Sequence, residues 1–481
     1  MILIVILALP LVASILCWTP KPGRRIASRL TLVTNLAILA LAVRATLQVI
    51  AKGRVIAIPG WLELDALGAL ILLLVAAVGV TASLYSLGYM KRTTHDLSIL
   101  HHYYGNFNLF IFSMLAVPVL VGPSVAWLAV ELTTLLSVLL VGFESNRDAL
   151  EAAWKYAMLT LTGAAIALFG FLLLFWAMHV AGGSTYTWSG LEAVAPHMPP
   201  AVVKMAYLTI LVGFGTKVGL VPLHTWLPDA HSQAPTPVCA LLSGIETSAI
   251  LYVILRLMPI ARASLGDAVD RWALVFGLIS VGVAAFLLIQ VHDTKRLFAY
   301  STVEHMGIIL TAAGLGGHAA AYGAMVQIFS HAFTKSFCFF AAGAVLMALG
   351  TREIAAVRGL IRSSPAAGAA LLTGSLAIAG APPFAVFLGE FAILKAGIAG
   401  GHYVATGLLA IFLAVAFFGI LLHVNRMVFG NPPENLPAPP GMPWSCALAL
   451  LLAAAPVVIF GLYVPDTLHT LLSRAAGLIG G

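Results

Sequence analysis

Charged side chains are scarce in this sequence of 481 residues. Lysine, arginine, aspartate and glutamate make up 9% of it, whereas a soluble domain carries about 25%. Hydrophobic residues make up 61%, and the mean hydropathy is +1.02. So few charges cannot cover the surface of a soluble protein of this length, which excludes a chain of soluble domains. The composition predicts one bundle of helices embedded in a lipid bilayer.

Motifs for redox and hydrolytic chemistry are also missing. The four cysteines stand singly in apolar stretches without a CxxC pair, which argues against disulfides, zinc sites and iron–sulfur clusters. An intramembrane catalyst, such as a protease or a quinone-binding oxidoreductase, has no support, because the sequence contains no HExxH, GxSxG or CxxCH motif. We therefore expect no cofactor, no metal and no catalytic residue in this chain.

The positive charge of the chain fits a membrane orientation signal. The net charge is +7 and the pI is about 9.3, but the lysines and arginines lie in short loops between apolar runs. This pattern is typical of a protein oriented in a bilayer. We expect no nucleic acid partner.

Apolar runs of about 20 residues, long enough to cross a bilayer as a helix, occur fourteen times. An even number places both termini on the same side. If that side is the outside, the cytoplasmic loops hold thirteen basic residues and the opposite loops and helix ends hold eight. This asymmetry favours a multi-pass protein of the inner, cytoplasmic membrane with both termini outside. The predicted spans are 1–19, 27–50, 65–88, 107–122, 124–143, 153–181, 202–222, 235–258, 271–291, 297–315, 320–349, 366–396, 402–428 and 444–469.

Several ionisable residues fall inside these spans, where a charge costs at least about 2.5–3.5 kcal/mol. Some have a structural explanation: Lys155 (with Glu151 one turn away) and Lys395 fit an interfacial position, and His305 fits a packed histidine. The others lie near the middle of their spans, and His331 and Lys335 share a helical face. The candidate proton-path residues are Glu131, Lys217, Glu246, His305, His331, Lys335 and Glu390.

Alternating carboxylate, ammonium and imidazole groups are suited to passing protons. Burial favours the neutral form of lysine and of glutamate, which brings both groups toward exchange near neutral pH, and histidine titrates there already. A sodium site would prefer clustered carboxylates, hydroxyls and carbonyls. The sequence therefore predicts a proton-conducting path across the membrane.

Two spans are interrupted by proline next to an ionisable residue. Pro222 follows Lys217 in span seven, and Pro382 and Pro383 precede Glu390 in span twelve. Interrupted helices at corresponding positions indicate inverted repeats around a central ion site. We therefore predict an all-α membrane protein with two inverted five-helix repeats. The predicted segments are 1–106 for helices 1–3, 107–258 for the first repeat, 271–428 for the second repeat and 429–481 for helix 14.

Six motifs in chain order carry a resemblance to a known family. WLAVELTTLLS, EAAWKYAML, GTKVGLVPLHTWLPDAHSQAPTPVCALLSG, HDTKRLFAYSTVEHMG, SHAFTKSFCFFAAGAV and GAPPFAVFLGEFAIL resemble blocks of the antiporter-like subunits of respiratory complex I. Within that superfamily, EAAWKY and GAPPF look most like the proton-channel (F) subunit of group 4 membrane-bound hydrogenases. M-type subunits of complex I and subunits of Mrp-type antiporters are near alternatives.

The resemblance implies fourteen helices, broken helices seven and twelve, and a role for each path residue. It pairs Glu131 with Lys217 and makes Glu390 the terminal titratable group. The family usually has a lysine or histidine in helix eight, where this sequence has Glu246 between Ser243 and Ser248. We therefore hypothesise that Glu246, with water, takes over this link.

The leading hypothesis is a proton-translocating subunit of a redox-driven complex, either of the group 4 hydrogenase type or similar to complex I. The alternative is a sodium/proton antiporter subunit of an Mrp-type complex. Either function requires other membrane subunits, and the first also requires redox subunits, because this chain has no redox ligand of its own.

Overall fold

The computed structural model describes residues 1–19, 22–94, 96–431 and 441–480, most of which are helical. Residues 432–440 and 481 of the predicted segment 429–481 lie outside the described residues. The N-terminal part consists of α1 (Ile2–Trp18), α2 (Pro22–Lys52), an antiparallel hairpin of β1 (Val55–Ile58) and β2 (Leu62–Leu64), and α3 (Ala66–Thr93). The hairpin was not predicted from the sequence.

The other helices follow in an almost unbroken series. They are α4 (Leu100–Ala116), α5 (Pro123–Val141), α6 (Arg147–Val180), α7 (Trp188–Val194), α8 (Pro200–Val218), α9 (Trp226–Gln233), α10 (Thr236–Leu241), α11 (Thr247–Leu265), α12 (Ala268–Leu288), α13 (Thr294–Gly314), α14 (Gly317–Leu349), α15 (Leu360–Ser363), α16 (Pro365–Ile378), α17 (Ala385–Ala399), α18 (Tyr403–Phe429), α19 (Trp444–Leu462) and α20 (Asp466–Gly480). A π-helical turn, Leu242–Glu246, joins α10 to α11.

Ten helices among the described residues are long and apolar enough to cross a membrane. Four of the fourteen predicted spans are therefore not matched by such a helix. The helices there are shorter or more polar: α1 and α4 have 17 residues each, α13 includes Lys295, Arg296 and Glu304, and the twelfth span is divided into α16 and α17.

Both interruptions begin at a glycine in the left-handed region of backbone space. Gly219 (φ 89°) ends α8, and Gly380 (φ 75°) follows α16. The prolines of the two loops, Pro222 in one and Pro382 and Pro383 in the other, lack the amide hydrogen that a continuing helix needs. The chain resumes as α9 and as α17.

Burial separates an inner group of helices from an outer one. The continuous segment Thr236–Leu265 is buried along its whole apolar window, and α3 and α14 are mostly buried. In contrast, α2, α6, α18 and α19 expose most of their apolar residues, as expected for surfaces that face lipid. Most of the ionisable residues predicted from the sequence therefore lie in or against the inner helices.

The C-terminal part differs from the prediction. Helix α19 ends at Leu462 instead of residue 469, because the chain turns at Pro465 and begins a new helix, α20, at Asp466. Helix α20 packs against α14 and α3. Its end lies on the same side of the bundle as the N-terminus, since Lys52 lines one cavity with Met1 and another with Leu478.

Candidate functional site

Lys217 is the second-to-last residue of α8. Its ammonium group lies inside the bundle, and its side chain is 1% exposed. The Nζ atom donates to the Val130 carbonyl at 2.6 Å and to the hydroxyls of Thr133 and Thr134 at 2.5 Å each. All three acceptors lie on α5. The Nζ atom also lies 3.4 Å from Oε1 of Glu246, whose side chain is 2% exposed. Oxygen atoms that replace water make this buried charge tolerable.

The carboxylate that pairs with Lys217 is the one in the π-helical turn. The resemblance pairs Lys217 with Glu131, but the ion pair within 4 Å is with Glu246. Glu131 is buried, and its Oε1 has no hydrogen-bond partner. A π-helical turn inserts one residue into a helix and so changes the direction of its side chains. Glu246 also accepts a hydrogen bond from the hydroxyl of Tyr156 at 3.3 Å.

Lys335 on α14 forms a second, similar site. Its Nζ atom donates to the Phe298 carbonyl at 2.7 Å and to the hydroxyl of Ser301, both on α13. Glu304, one turn further along α13, is buried and its Oε2 has no hydrogen-bond partner.

The two lysines use the same acceptor pattern. In each site the ammonium binds a helix carbonyl and the hydroxyl three residues later in the sequence: Val130 with Thr133, and Phe298 with Ser301. In both cases the hydroxyl also donates to that carbonyl. Because the hydroxyl hydrogen points to the carbonyl, the lone pairs of the hydroxyl oxygen are left for the ammonium, and the ammonium shares the carbonyl without replacing a helix hydrogen bond.

Two histidines lie between the lysine sites and the broken helix α16–α17. Nε2 of His331 is 3.0 Å from the Ser243 carbonyl, in the same π-helical turn that carries Glu246. The His331 ring lies 5.3 Å from the His305 ring, measured between centroids. Nε2 of His305 lies 3.0 Å from the carbonyl of Ile378, the last residue of α16. The π-helical turn therefore contacts Lys217 through Glu246 and His331 through the Ser243 carbonyl.

Glu390 lies against the break between α16 and α17. It is buried, and a Cβ atom at Gly380 would overlap its carboxylate. The glycine therefore provides both the positive φ angle of this turn and the space for the carboxylate.

The lysines interpreted as interfacial occupy exposed positions. Lys155 is 43% exposed and pairs with Glu151 at 2.7 Å and Asp229 at 3.4 Å. Lys395 is exposed near the end of α17, and no ion pair with Glu390 exists among the described residues.

Three further buried polar residues were missed by sequence reasoning. Lys295 at the start of α13 is 2% exposed, and its Nζ donates to the Ala234 carbonyl at 2.8 Å. His231 on α9 is fully buried near the rings of Trp226 and Phe339. Gln327 is also fully buried, and its amide donates to His305. His231 and Lys295 were present in the quoted motifs, whereas a neutral glutamine gives no signal in a search for charges.

An open cavity of about 620 Å³ reaches Lys295 from the surface of the bundle. Tyr89, Glu144, Arg147 and Arg352 also line it. It is on the side of the bundle opposite Met1, at the other end of α3 from the cavity that contains Asp65.

A sequence profile described as the transmembrane region of NADH:quinone oxidoreductase and Mrp antiporters matches residues 123–417, more than half of the chain. A second profile, described as the N-terminus of chain 5 of NADH-ubiquinone oxidoreductase (complex I), matches residues 56–98. The chain is also 35% identical, over 426 residues, to a homologue of hydrogenase-4 component F from Methylacidiphilum infernorum, covering 86% of this chain and 84% of the relative.

Two solved structures share the fold. A chain of the archaeal membrane-bound sulfane sulfur reductase superposes with a TM-score of 0.89 at 24% identity, covering 99% of this chain and 97% of the other. A chain of the Mrp complex of Dietzia sp. DQ12-45-1b superposes with a TM-score of 0.85 at 20% identity and the same coverage. The profile match and the hydrogenase relative show that the chain belongs to the NADH:quinone oxidoreductase/Mrp antiporter transmembrane family.

Proposed function

We propose that this chain is the proton-translocating, antiporter-like membrane subunit of a redox-driven respiratory complex, of the group 4 hydrogenase type or similar to complex I. The observation that carries the proposal is the buried series of ionisable groups between the two broken helices. Its members are Lys217 with Glu246, His331 with His305, Lys335, and Glu390. Groups of this kind are rare inside a bilayer unless they serve transport.

We propose that proton transfer starts at the Lys217–Glu246 pair. A neighbouring subunit that changes the charge or position of the buried Glu131 would weaken the electrostatic attraction between the Lys217 ammonium and the carboxylates near it. Lys217 would then release its proton through water to Nδ1 of His331, which has no hydrogen-bond partner, while Nε2 of the same ring donates to the Ser243 carbonyl. From there the proton would pass by way of His305, Lys335 and water to Glu390, which exchanges with one side of the membrane.

The open cavity beside Lys295 is the proposed entrance from the membrane surface. Lys295 is the buried lysine at this cavity, where the buried Tyr89 also lies. Helix α13 carries Lys295 and, one turn later, the Phe298 carbonyl that binds Lys335. An entering proton would therefore reach Lys335 over a short distance along one helix. After each release it would reload Lys217 through Lys335, His331 and water.

We propose fourteen membrane-crossing segments, with the two inverted repeats at 107–258 and 271–428 between segments 1–106 and 429–481. The shared acceptor pattern supports this arrangement, because α5 and α13 are the second helices of the proposed repeats. The broken helices α8–α9 and α16–α17 are their fourth segments. The charge asymmetry supports an inner membrane location with both termini outside.

The proposed partners are other membrane subunits and, through them, redox subunits of the complex, within the lipid bilayer. The M. infernorum relative is named as a hydrogenase component. The sequence predicts no redox ligand in this chain, and a proton path without an energy source would be only a leak.

Inverted membrane vesicles test the proposed function. Oxidation of the electron donor by the complex should acidify the vesicle lumen to the same extent with and without added Na⁺. Sodium-dependent exchange without any electron donor would instead support the Mrp-type alternative. The geometry favours protons, because ammonium groups already occupy the oxygen clusters on α5 and α13 that a sodium ion would need.

A further inference from the structure

Gln327 connects the histidine pair to the helix that carries Glu390. Its side chain is fully buried on α14. The Nε2 atom lies 2.8 Å from Nδ1 of His305, and Oε1 has no hydrogen-bond partner. A Cβ atom at Gly389 would overlap Oε1 and would lie 3.1 Å from the Gln327 Cα. The amide is therefore in contact with the residue that precedes Glu390.

The contacts of His305 define its protonation in this arrangement. A carbonyl oxygen only accepts hydrogen bonds, so Nε2 of His305 must donate to the Ile378 carbonyl. Nδ1 receives a hydrogen from the Gln327 amide group and must be the acceptor. His305 is therefore neutral while Gln327 donates to it.

A proton arriving at Nδ1 reverses this requirement. The protonated ring has two donors, and the amide NH₂ cannot face a second donor. If the amide turns by about half a revolution, Oε1 accepts from Nδ1–H and the NH₂ group takes the place of Oε1 beside Gly389. An unpartnered buried oxygen costs free energy, and this rotation gives it a partner.

We propose that Gln327 is a positioning residue whose amide turns over when His305 gains a proton. This rotation links proton occupancy at His305 to the helical turn of α17 that carries Gly389 and Glu390. This inference rests on the proposed proton translocation. The titratable groups near His305 are His331 and Lys335 on α14. Glu304 is its neighbour on α13, and Glu390 follows Gly389, the residue of α17 that contacts Gln327. Among the described residues, the hydrogen-bond partner of Nδ1 is Gln327 and not one of these groups.

Two substitutions of similar size test the role of the amide oxygen. Gln327→Met removes the acceptor for protonated His305. The alkaline limit, meaning the pH above which coupled proton translocation falls, should therefore move about one to two pH units lower, which corresponds to the loss of one hydrogen bond to a charged group. Gln327→Glu supplies a charged acceptor, and the same limit should move to higher pH. The measurement is the pH profile of donor-driven lumen acidification in vesicles that contain the whole complex.

Ser330→Ala is the matched control. Ser330 is a buried residue on the same helix, and its hydroxyl donates to the Ala385 carbonyl at 3.0 Å without facing a titratable group. A merely structural role of Gln327 would lower the yield of the complex or the maximal rate, as in this control, without opposite shifts. If Gln327→Met and Gln327→Glu both keep the wild-type pH limit, or both move it in the same direction, the inference is overturned.

A second readout separates this inference from the proposed function. An infrared pH titration of the full chain in lipid vesicles, with isotope-labelled histidine and His305→Phe to assign the band, measures His305 protonation without transport. Opposite displacements of its midpoint in the two variants support the inference even if wild-type vesicles do not move protons. Unchanged midpoints overturn the inference even if wild-type vesicles move protons.

Discussion

The ion pair between Lys217 and Glu246 can be distinguished by mutation from the pair of Lys217 with Glu131 that the family resemblance implies. Glu246→Gln keeps the shape of the side chain and removes its charge. The two charged atoms lie 3.4 Å apart, with both side chains at most 2% exposed, so water cannot replace the lost partner. Removing one member of a buried ion pair costs about 3–5 kcal/mol while the other stays charged.

Two measurements follow this change. The free energy of unfolding, measured by denaturant titration in mixed micelles, should fall by up to this amount in Glu246→Gln. The double variant Lys217→Met/Glu246→Gln should recover part of the loss, because replacing both members of a buried pair is often nearly neutral. Donor-driven proton translocation should fall steeply in the single variant, since Lys217 then either remains unpaired or gives up the proton it is meant to transfer.

Glu131→Gln is the comparison for the stability measurement. Glu131 is buried but forms no ion pair within 4 Å of Lys217, so its neutralisation should not lower the free energy of unfolding by a comparable amount. If Glu131→Gln destabilises the protein as much as Glu246→Gln, the assignment of the pair is wrong. If Glu246→Gln leaves proton translocation intact, Glu246 is not part of the path.

Two further predictions concern the broken helix and the surface cavity. Gly380→Ala should strongly reduce translocation, because the new Cβ atom would overlap the Glu390 carboxylate. Gly401→Ala should not, because Gly401 has a similar φ of 76° but no atom within 4 Å of the new Cβ. Equal losses in the two variants would show that backbone strain alone is responsible. Lys295→Met should slow translocation several-fold in vesicle assays, because it removes the buried ammonium group at the cavity. Lys155→Met, at an exposed interfacial position, should have little effect. A normal rate in Lys295→Met would exclude this entrance.

The sequence predicts the helical membrane character and the two breaks well, because both follow from strong local signals. Long apolar runs can only be stable as helices in a bilayer, and glycine with proline interrupts a helix wherever it occurs. Weakly apolar segments are harder: the predicted span 297–315 coincides with most of α13, which carries Glu304 and His305 and is not among the ten clear candidates.

The partners of the buried charges were less predictable. Glu131 and Glu246 both lie on helices that face Lys217, and the choice between them depends on the π-helical turn at Leu242–Glu246. A single inserted residue of this kind has no clear sequence pattern. Gln327 was missed for a different reason: its importance comes from contact with His305 on a neighbouring helix, which no local pattern reveals.

The most direct test of the account compares wild type with Lys217→Ala in inverted vesicles at equal turnover of the electron donor. Lys217 donates to Val130, Thr133 and Thr134 and pairs with Glu246, so its removal takes away the first proton carrier of the path. We predict an assembled complex that oxidises its donor without acidifying the vesicle lumen. Acidification at the wild-type rate in Lys217→Ala would contradict the proposed path.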